Sequence, residues 1–211
     1  MCCATLSEHR NMSDKSLKLR IVTPDSGFVL PYIERELPDV ELVDTDADVT
    51  VYITQDINLL SCRPDEASVA LHCPNIVGTG MTGKPMQMAR AIASGKYYHI
   101  QGKEARLSTI HATDVAKAVA LAMNTPGVYT VTDLNDPTYD SLADALAHRI
   151  KDRRIYTLKG LWSKLLMPSS LRRMVTTDDT YEGGEFASRF DFKPVSVVEY
   201  LMTHVYDDES L

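Results

Sequence analysis

Short apolar runs rich in β-branched residues alternate along the chain with segments that have helical spacing. The pattern predicts strands at 17–24, 40–44, 48–54, 68–73 and 127–133, with shorter ones at 97–100, 106–112 and 153–158. It predicts helices at 26–37, 85–94, 113–124 and 138–150, followed by helical or turn-like pieces in the tail. Strands that alternate with helices indicate an α/β fold with a mainly parallel sheet and right-handed crossovers.

The composition is that of an ordinary globular domain, with 211 residues, 44% hydrophobic and 24% charged. The net charge of -7 and the lack of a long basic run argue against a nucleic-acid or anionic-membrane partner, although a local basic patch could exist within it. We expect residues 1–16 to be a disordered N-terminus because they are polar and have no apolar signal-peptide core, and Met12 is an alternative start.

Cysteine and histidine usage gives no sign of a metal site. The four cysteines lie at 2, 3, 62 and 73 without a C-x-x-C pair, and the six histidines have no i, i+4 pair. Free thiols and the missing export signal predict a cytoplasmic location.

The stretch from Gly78 to Lys84 contains two phosphate-binding patterns at once. It matches G-x-x-x-x-G-K, but Pro85 stands where a P-loop needs a Ser or Thr hydroxyl. Gly78, Gly80 and Gly83 also spell G-x-G-x-x-G, but the only acidic residue at a suitable distance is Glu104, which does not end a strand. Pro85 suits the first turn of a helix, so we expect a flexible loop that leads into a helix.

Two spaced motifs and a closing motif carry a family resemblance. "CPNIVGTG" matches R-P-x-N-V-Y-G-P-G through Pro74, Asn75, Gly78 and Gly80. "RLSTIHATD" matches R-x-[FY]-[IV]-H-V-x-D, and "FDFKPVSVVEYL" resembles a closing G-[WF]-x-P motif. Over residues 68–203 the chain therefore resembles the extended short-chain dehydrogenases, namely the NAD-dependent nucleotide-sugar epimerases and dehydratases.

The resemblance implies a reduced Rossmann-like sheet with helices on both faces and a small C-terminal substrate-type lobe. Residues 17–80 would form a truncated Rossmann-like core, and residues 81–211 would form the remainder, with both parts in one compact unit.

The resemblance also implies a site for a nucleotide or nucleotide sugar at Asn75, Gly78, Gly80 and Arg106. An amide and a guanidinium fork are suitable partners for diphosphate oxygens. The alternative is that Asn75 caps its loop and Arg106 pairs with a surface carboxylate such as Glu104. We expect His111 to pack and hydrogen-bond at a helix start, with Thr113 or Asp114 as the helix N-cap.

The cofactor half of the family pattern is incomplete. "TPDSGFVL" aligns with T-G-x-x-G-[FY]-[IL]-G, so that Thr23, Gly27 and Phe28 match while Pro24 and Leu30 replace glycines. Both replacements oppose pyrophosphate binding, because proline lacks an N–H and leucine is bulky where helix and strand approach. Asp44, after a predicted strand, could stand in for the ribose-binding acid. No cofactor is therefore expected, with NAD(P) as the alternative.

The family's catalytic segment is missing. A short connector at 55–67 replaces the long stretch that holds Y-x-x-x-K, and none of the ten tyrosines has a lysine four residues later. The connector suffices for a minimal crossover, although one sheet face near residues 56–67 would be thinly covered.

The sequence therefore predicts an epimerase/dehydratase-like protein that is catalytically inactive, has no catalytic residue and binds at most a nucleotide or nucleotide sugar. One alternative is an active NAD(P)-dependent enzyme that uses Tyr97, Tyr98 or His111 as its acid/base. The other is an interaction or scaffold protein that forms a homo-oligomer or binds a protein partner.

Overall fold

The computed structural model describes residues 16–62, 68–150 and 153–203, which form an α/β fold. The strands are β1 (Leu17–Val22), β2 (Val40–Leu42), β3 (Val49–Thr54), β4 (Val69–His72), β5 (Ile76–Val77), β6 (Tyr98–Ile100), β7 (Ile110–His111), β8 (Gly127–Thr130) and β9 (Tyr156–Leu158). The helices are α1 (Leu30–Glu36), α2 (Gly83–Ala93), α3 (Ala112–Ala122), α4 (Tyr139–Arg149), α5 (Gly160–Leu166), α6 (Ser169–Met174), α7 (Gly184–Phe190) and α8 (Val197–Thr203). Two 3₁₀ helices, Gly27–Val29 and Ile57–Cys62, follow β1 and β3.

Five of the strands form a parallel sheet in the order β2-β1-β3-β4-β8. Two-stranded parallel pairs, β5 with β7 and β6 with β9, lie outside it. The registers run from Val51 opposite Val69 to Thr54 opposite His72, so β3 and β4 are direct neighbours. The short connector after β3 is thus sufficient to close the sheet, and the predicted mainly parallel, Rossmann-like architecture is confirmed.

One core lies between a face of the sheet and helices α1, α3 and α7. Alternate residues of the strands supply its sheet side, and Leu19, Val51, Ile53 and Leu71 are fully buried there. A second core joins α2, α4, α6 and α8. Phe28 packs against both cores, so the turn after β1 lies where the two halves of the chain meet.

The opposite face of the sheet contacts the 3₁₀ helix Ile57–Cys62, which packs on β3 and β4. Tyr52 and Ala70 on this face are buried, whereas Val128 on the edge strand β8 is 47% exposed. Ile57 in the 3₁₀ helix is 44% exposed.

The N-cap of α3 differs from the prediction. The cap is His111, whose Nδ1 accepts the Thr113 amide at 3.2 Å, so the expectation of Thr113 or Asp114 was wrong. A histidine nitrogen can replace the usual hydroxyl or carboxylate because its lone pair lies within reach of the second helical amide. His111 therefore does pack at the helix start, stacked on Tyr200 at 3.8 Å between ring centroids.

Two buried carboxylates fix the segment that leads into α8. Asp114 Oδ2 accepts the Val195 amide at 2.8 Å, and Asp133 Oδ2 accepts the Val197 amide at 3.0 Å. Burial raises the pKa of Asp133 despite the three hydrogen bonds, from Val197, Asn135 and Thr109, that favour its ionised form. The C-terminal segment thus depends on polar anchors as well as on apolar packing.

Of the predicted divisions of the chain, the N-terminal segment falls on residues 1–15, which lie outside the described residues. The predicted boundary between the two parts at residue 80 remains a prediction.

We expect Asp114→Ala to lower the free energy of unfolding by about 1–3 kcal/mol, because the Val195 amide loses its acceptor next to the core. Urea denaturation followed by circular dichroism measures the change. Lys193→Ala is the matched control, since its ion pair with Asp191 is exposed and should contribute less than about 0.5 kcal/mol. Equal stability of Asp114→Ala and the parent protein would contradict the anchoring role.

Candidate functional site

A polar cleft of about 460 Å³ opens at the carboxyl ends of β1, β3 and β4. Its walls come from the loops after these strands, the start of α2 and the segment 179–181. Ligands in open parallel sheets bind beyond the carboxyl ends of the strands, and this volume lies in the range of small-molecule sites. The cleft is therefore the candidate site.

Asp179 is the centre of the hydrogen-bond network in this cleft. Its Oδ2 pairs with Lys84 Nζ at 2.5 Å and accepts Asn75 Nδ2 at 2.8 Å. Its Oδ1 accepts the Tyr181 hydroxyl at 3.3 Å. Asn75 also donates to the Ser108 carbonyl at 2.9 Å and has a φ of 48°, a left-handed conformation that asparagine tolerates.

The network shifts the pKa values of Asp179 and Tyr181. Burial opposes ionisation of Asp179, but hydrogen bonds from Lys84 and Asn75 and the Lys84 charge outweigh it and hold its pKa below the ordinary value. Burial and the neighbouring Asp179 carboxylate raise the pKa of Tyr181. The cleft thus holds an ionised carboxylate beside a neutral phenol.

Asp25 and Gln55 line the other side of the cleft and hydrogen-bond to each other. The Asp25 carboxylate accepts the Gln55 amide at 2.9 Å and the Thr54 hydroxyl at 3.1 Å. The Gln55 side chain donates to the Asp25 carbonyl at 3.2 Å and to Thr82 Oγ1 at 3.0 Å, and it accepts the Ile76 amide at 3.1 Å. Gln55 therefore bridges the turn after β1, the end of β3, β5 and the start of α2.

The loop with Gly78 and Gly80 packs directly on the first helix. A Cβ on Gly80 would lie 3.1 Å from Phe28 Cβ, and one on Gly78 would lie 3.0 Å from the Tyr32 hydroxyl. The Thr79 amide donates to that hydroxyl at 2.9 Å. The glycines thus permit close approach of the loop to α1, and Gly80 also needs its φ of 80°.

The sequence-predicted cofactor residues lie at the turn after β1, apart from Asp44, which follows β2. Thr23 and Gly27 flank a turn in which Pro24 has no N–H to offer, and the adjacent Asp25 places a carboxylate there. Phe28 packs against the glycine loop at Gly80. Asp44 is exposed after β2, at the same sheet edge. The expectation that no dinucleotide binds at this turn stays a prediction, as does the role of Asp44 toward a ribose.

The predicted ligand residues are separated by the structure. Asn75 lines the cleft, whereas Gly78 and Gly80 face α1. Arg106 is exposed, and its Nη1 donates to the Asp136 carbonyl at 2.9 Å rather than pairing with Glu104. Its backbone carbonyl accepts the Asp179 amide at 2.8 Å, which holds Arg106 beside the cleft wall.

The alternative acid/base residues lie away from the cleft. Tyr97 is 3% exposed and donates to the Tyr139 carbonyl at 3.3 Å, and burial raises its pKa far above the ordinary value. His111 is the cap of α3, and Tyr98 lies in β6. None of the three lines the cleft.

Sequence reasoning missed a tyrosine and a lysine that the fold brings to one carboxylate. Tyr181 and Lys84 are far apart in the chain, so no local spacing signal could reveal that both contact Asp179. In the family's Y-x-x-x-K pair the lysine lowers the tyrosine pKa. Here Asp179 accepts from both groups, and burial and the Asp179 carboxylate raise the pKa of Tyr181, which is the wrong direction for a general base.

Comparison with solved structures identifies the fold. UDP-N-acetylglucosamine 4-epimerase from Bacillus cereus matches with a TM-score of 0.56 at 13% identity, over 90% of this chain and 100% of that one. Human epimerase family protein SDR39U1 with NADPH matches with a TM-score of 0.59 at 12% identity, over 88% of this chain and 98% of that one. Bordetella bronchiseptica WbmG in complex with NAD matches with a TM-score of 0.59 at 8% identity, over 90% of this chain and 93% of that one. The chain has the fold of the sugar-nucleotide epimerases.

This epimerase fold confirms the structural part of the sequence resemblance.

No protein-family model and no curated protein matches the sequence. In the described ranges no group of three or more His, Cys, Asp or Glu side chains could hold a metal ion. No helix among the described residues is long and apolar enough to span a membrane.

The depressed pKa of Asp179 predicts a pH-dependent contribution to stability. A carboxyl group whose folded pKa is lowered stabilises the protein above its unfolded pKa, and that contribution is lost as the pH falls through the folded value. We expect Asp179→Asn to lower the unfolding free energy by about 1–2 kcal/mol at pH 7, because Lys84 and Asn75 lose a charged acceptor that is partly screened by solvent.

The difference in melting temperature between Asp179→Asn and the parent protein should shrink below about pH 4. Thermal melts from pH 3 to pH 8 measure it, and Asp191→Asn is the exposed-carboxylate control with no such trend. An equal deficit at pH 3 and pH 7 would show that the charge of Asp179 is not the cause.

Proposed function

We propose that this protein binds the glycosyl part of a nucleotide sugar in the Asp179 cleft and does not perform dinucleotide-dependent hydride transfer. The observation that carries the proposal is a polar cleft at the carboxyl sheet edge beside a turn that lacks the glycines of the family pattern. The cleft presents Asn75, Lys84 and Asp179, and Pro24 in the turn after β1 has no N–H to offer a pyrophosphate.

Charge in the cleft favours a hydroxyl-rich group over a phosphate. Asp25, Asp56 and Asp179 line it, and Lys84 is already paired with Asp179. Sugar hydroxyls both donate and accept, so they suit carboxylates, an amide and an ammonium together. A diphosphate would fit better outside the cleft, on the side of the exposed Arg106.

The lack of hydride transfer rests on two independent features. The sequence has no Y-x-x-x-K pair, and burial together with the Asp179 carboxylate raises the pKa of Tyr181, the tyrosine that does line the cleft. NAD or NADPH accompanies several of the solved epimerase-fold structures. In this chain the turn after β1, which would meet the pyrophosphate, contains Pro24 and Asp25, and Gln55 hydrogen-bonds to it from the end of β3.

We expect UDP-N-acetylglucosamine or another UDP- or dTDP-sugar to raise the melting temperature, and NAD and NADP to leave it unchanged. A ligand at a hundred times its dissociation constant adds about 2.7 kcal/mol, or about 5–10 °C here. Lys84→Met should weaken binding about tenfold by calorimetry. Lys117→Met is the matched control, because Lys117 pairs with Asp114 outside the cleft.

Two results would contradict the proposal. Stabilisation by NAD or NADP alone would point to an active enzyme with a substituted acid/base. No stabilisation by any nucleotide sugar would leave an interaction protein that retains the fold, and a partner or oligomer would then be sought by pull-down and sedimentation.

A further inference from the structure

Helix α5 exposes its apolar side to solvent and buries a polar residue, the opposite of an ordinary surface helix. Four of its large apolar side chains point outward, with exposed fractions of 77% for Leu161, 56% for Trp162, 73% for Leu165 and 47% for Leu166. Its buried residue is Ser163, which is 2% exposed and donates its hydroxyl to the Gly160 carbonyl at 2.8 Å. A surface helix normally buries its apolar stripe, so this arrangement calls for an apolar environment outside the fold.

The apolar surface continues from α5 onto the neighbouring strand. Tyr156 in β9 is 59% exposed, and α5 contacts β9. Five of the eleven exposed large hydrophobic side chains among the described residues fall between 156 and 166. We call Tyr156, Leu161, Trp162, Leu165 and Leu166 the α5 patch.

Positive charge is concentrated around the α5 patch. Residues 153–177 contain six of the 22 Lys and Arg of the chain and none of its 29 Asp and Glu. A groove of about 610 Å³ beside α5 is lined by Lys103, Lys164, Arg172 and Arg173.

We propose that the α5 patch and this groove bind the surface of an anionic lipid bilayer. Leu161, Trp162 and Leu165 would enter the boundary between headgroups and acyl chains, where tryptophan and leucine partition favourably. The lysines and arginines of the groove would contact lipid phosphates, and each cation near an anionic surface strengthens the attachment about fivefold. Binding is peripheral, because no described helix is long and apolar enough to cross the bilayer.

Charge complementarity favours a bilayer over other occupants. Exposed leucines have no favourable contact on a nucleic acid, whose recognition needs cations with stacking aromatic or polar side chains. A symmetric contact between two copies of α5 would bring Lys164, Arg172 and Arg173 against the same charges. An anionic bilayer satisfies both the apolar and the cationic parts of the surface.

The rest of the chain sets the orientation on the membrane. The protein has a net charge of -7 although residues 153–177 contain six Lys or Arg and no Asp or Glu, so the rest of the chain carries a strong excess of acidic residues. Repulsion extends over a Debye length of about 8 Å at physiological salt, which keeps the acidic surface away from the lipids and directs α5 toward them.

The chain contains a single tryptophan, Trp162, so its fluorescence reports directly on the α5 patch. The full chain is titrated with phosphatidylcholine vesicles that contain about 30% phosphatidylserine, and with pure phosphatidylcholine vesicles as the neutral control. We expect a blue shift of emission and co-sedimentation with the anionic vesicles, both reduced by high salt.

Two pairs of variants separate the apolar and electrostatic contributions while Trp162 is retained. Leu161→Ser with Leu165→Ser should abolish the blue shift, and Lys164→Glu with Arg173→Glu should weaken binding at least about twenty-fold. The matched controls are Leu121→Ser with Met202→Ser, and Arg35→Glu with Arg90→Glu, all exposed positions outside the patch. Circular dichroism and thermal melts check that every variant is folded.

Three results would overturn the proposal. The first is no binding to anionic vesicles at low salt, and the second is binding that the patch variants and the controls reduce equally. The third is concentration-dependent dimerisation, or binding of a single-stranded oligonucleotide, that the patch variants abolish while vesicles remain unbound.

Discussion

The direct parallel pairing of β3 with β4 is the constraint on which the rest of the structure depends. Val51 lies opposite Val69, so the connector between these strands has to cross the sheet within residues 55–68. The described part of this crossover holds the 3₁₀ helix Ile57–Cys62. The sheet therefore closes without the segment that carries the tyrosine and lysine of the epimerase family, and the site at its carboxyl edge is built from other groups.

The site that results is polar and tightly bonded internally. Gln55 links the turn after β1 to the start of α2, and Asp179 links the far wall of the cleft to Asn75 and Lys84. Phe28 packs on the loop at Gly80 beside the cleft. These interactions share one physical consequence, because each holds a loop at the carboxyl edge of the sheet in place around the Asp179 cleft.

The two surfaces of functional interest have opposite electrostatic character. Three carboxylates line the cleft, whereas the groove beside α5 presents four cations next to exposed leucine and tryptophan side chains. The net charge of -7 does not show this asymmetry, because it is the sum of a basic stretch at 153–177 and an acidic rest of the chain. The proposed sugar site and the proposed membrane surface are compatible on one molecule because they are built from different elements.

The sequence by itself determined the alternation of the main strands and helices up to α4, the parallel sheet and the position of Pro85 in the first turn of α2, because periodicity and φ restriction are local properties. It also identified Asn75, which lines the cleft. Tertiary structure alone decided that Lys84 and Tyr181 meet at Asp179, and that His111 rather than Thr113 or Asp114 caps α3. Such contacts join residues distant in the chain or depend on rotamers, and neither leaves a spacing signal. The outward orientation of α5 is likewise a tertiary outcome, since its periodicity shows an apolar side without showing which way that side faces.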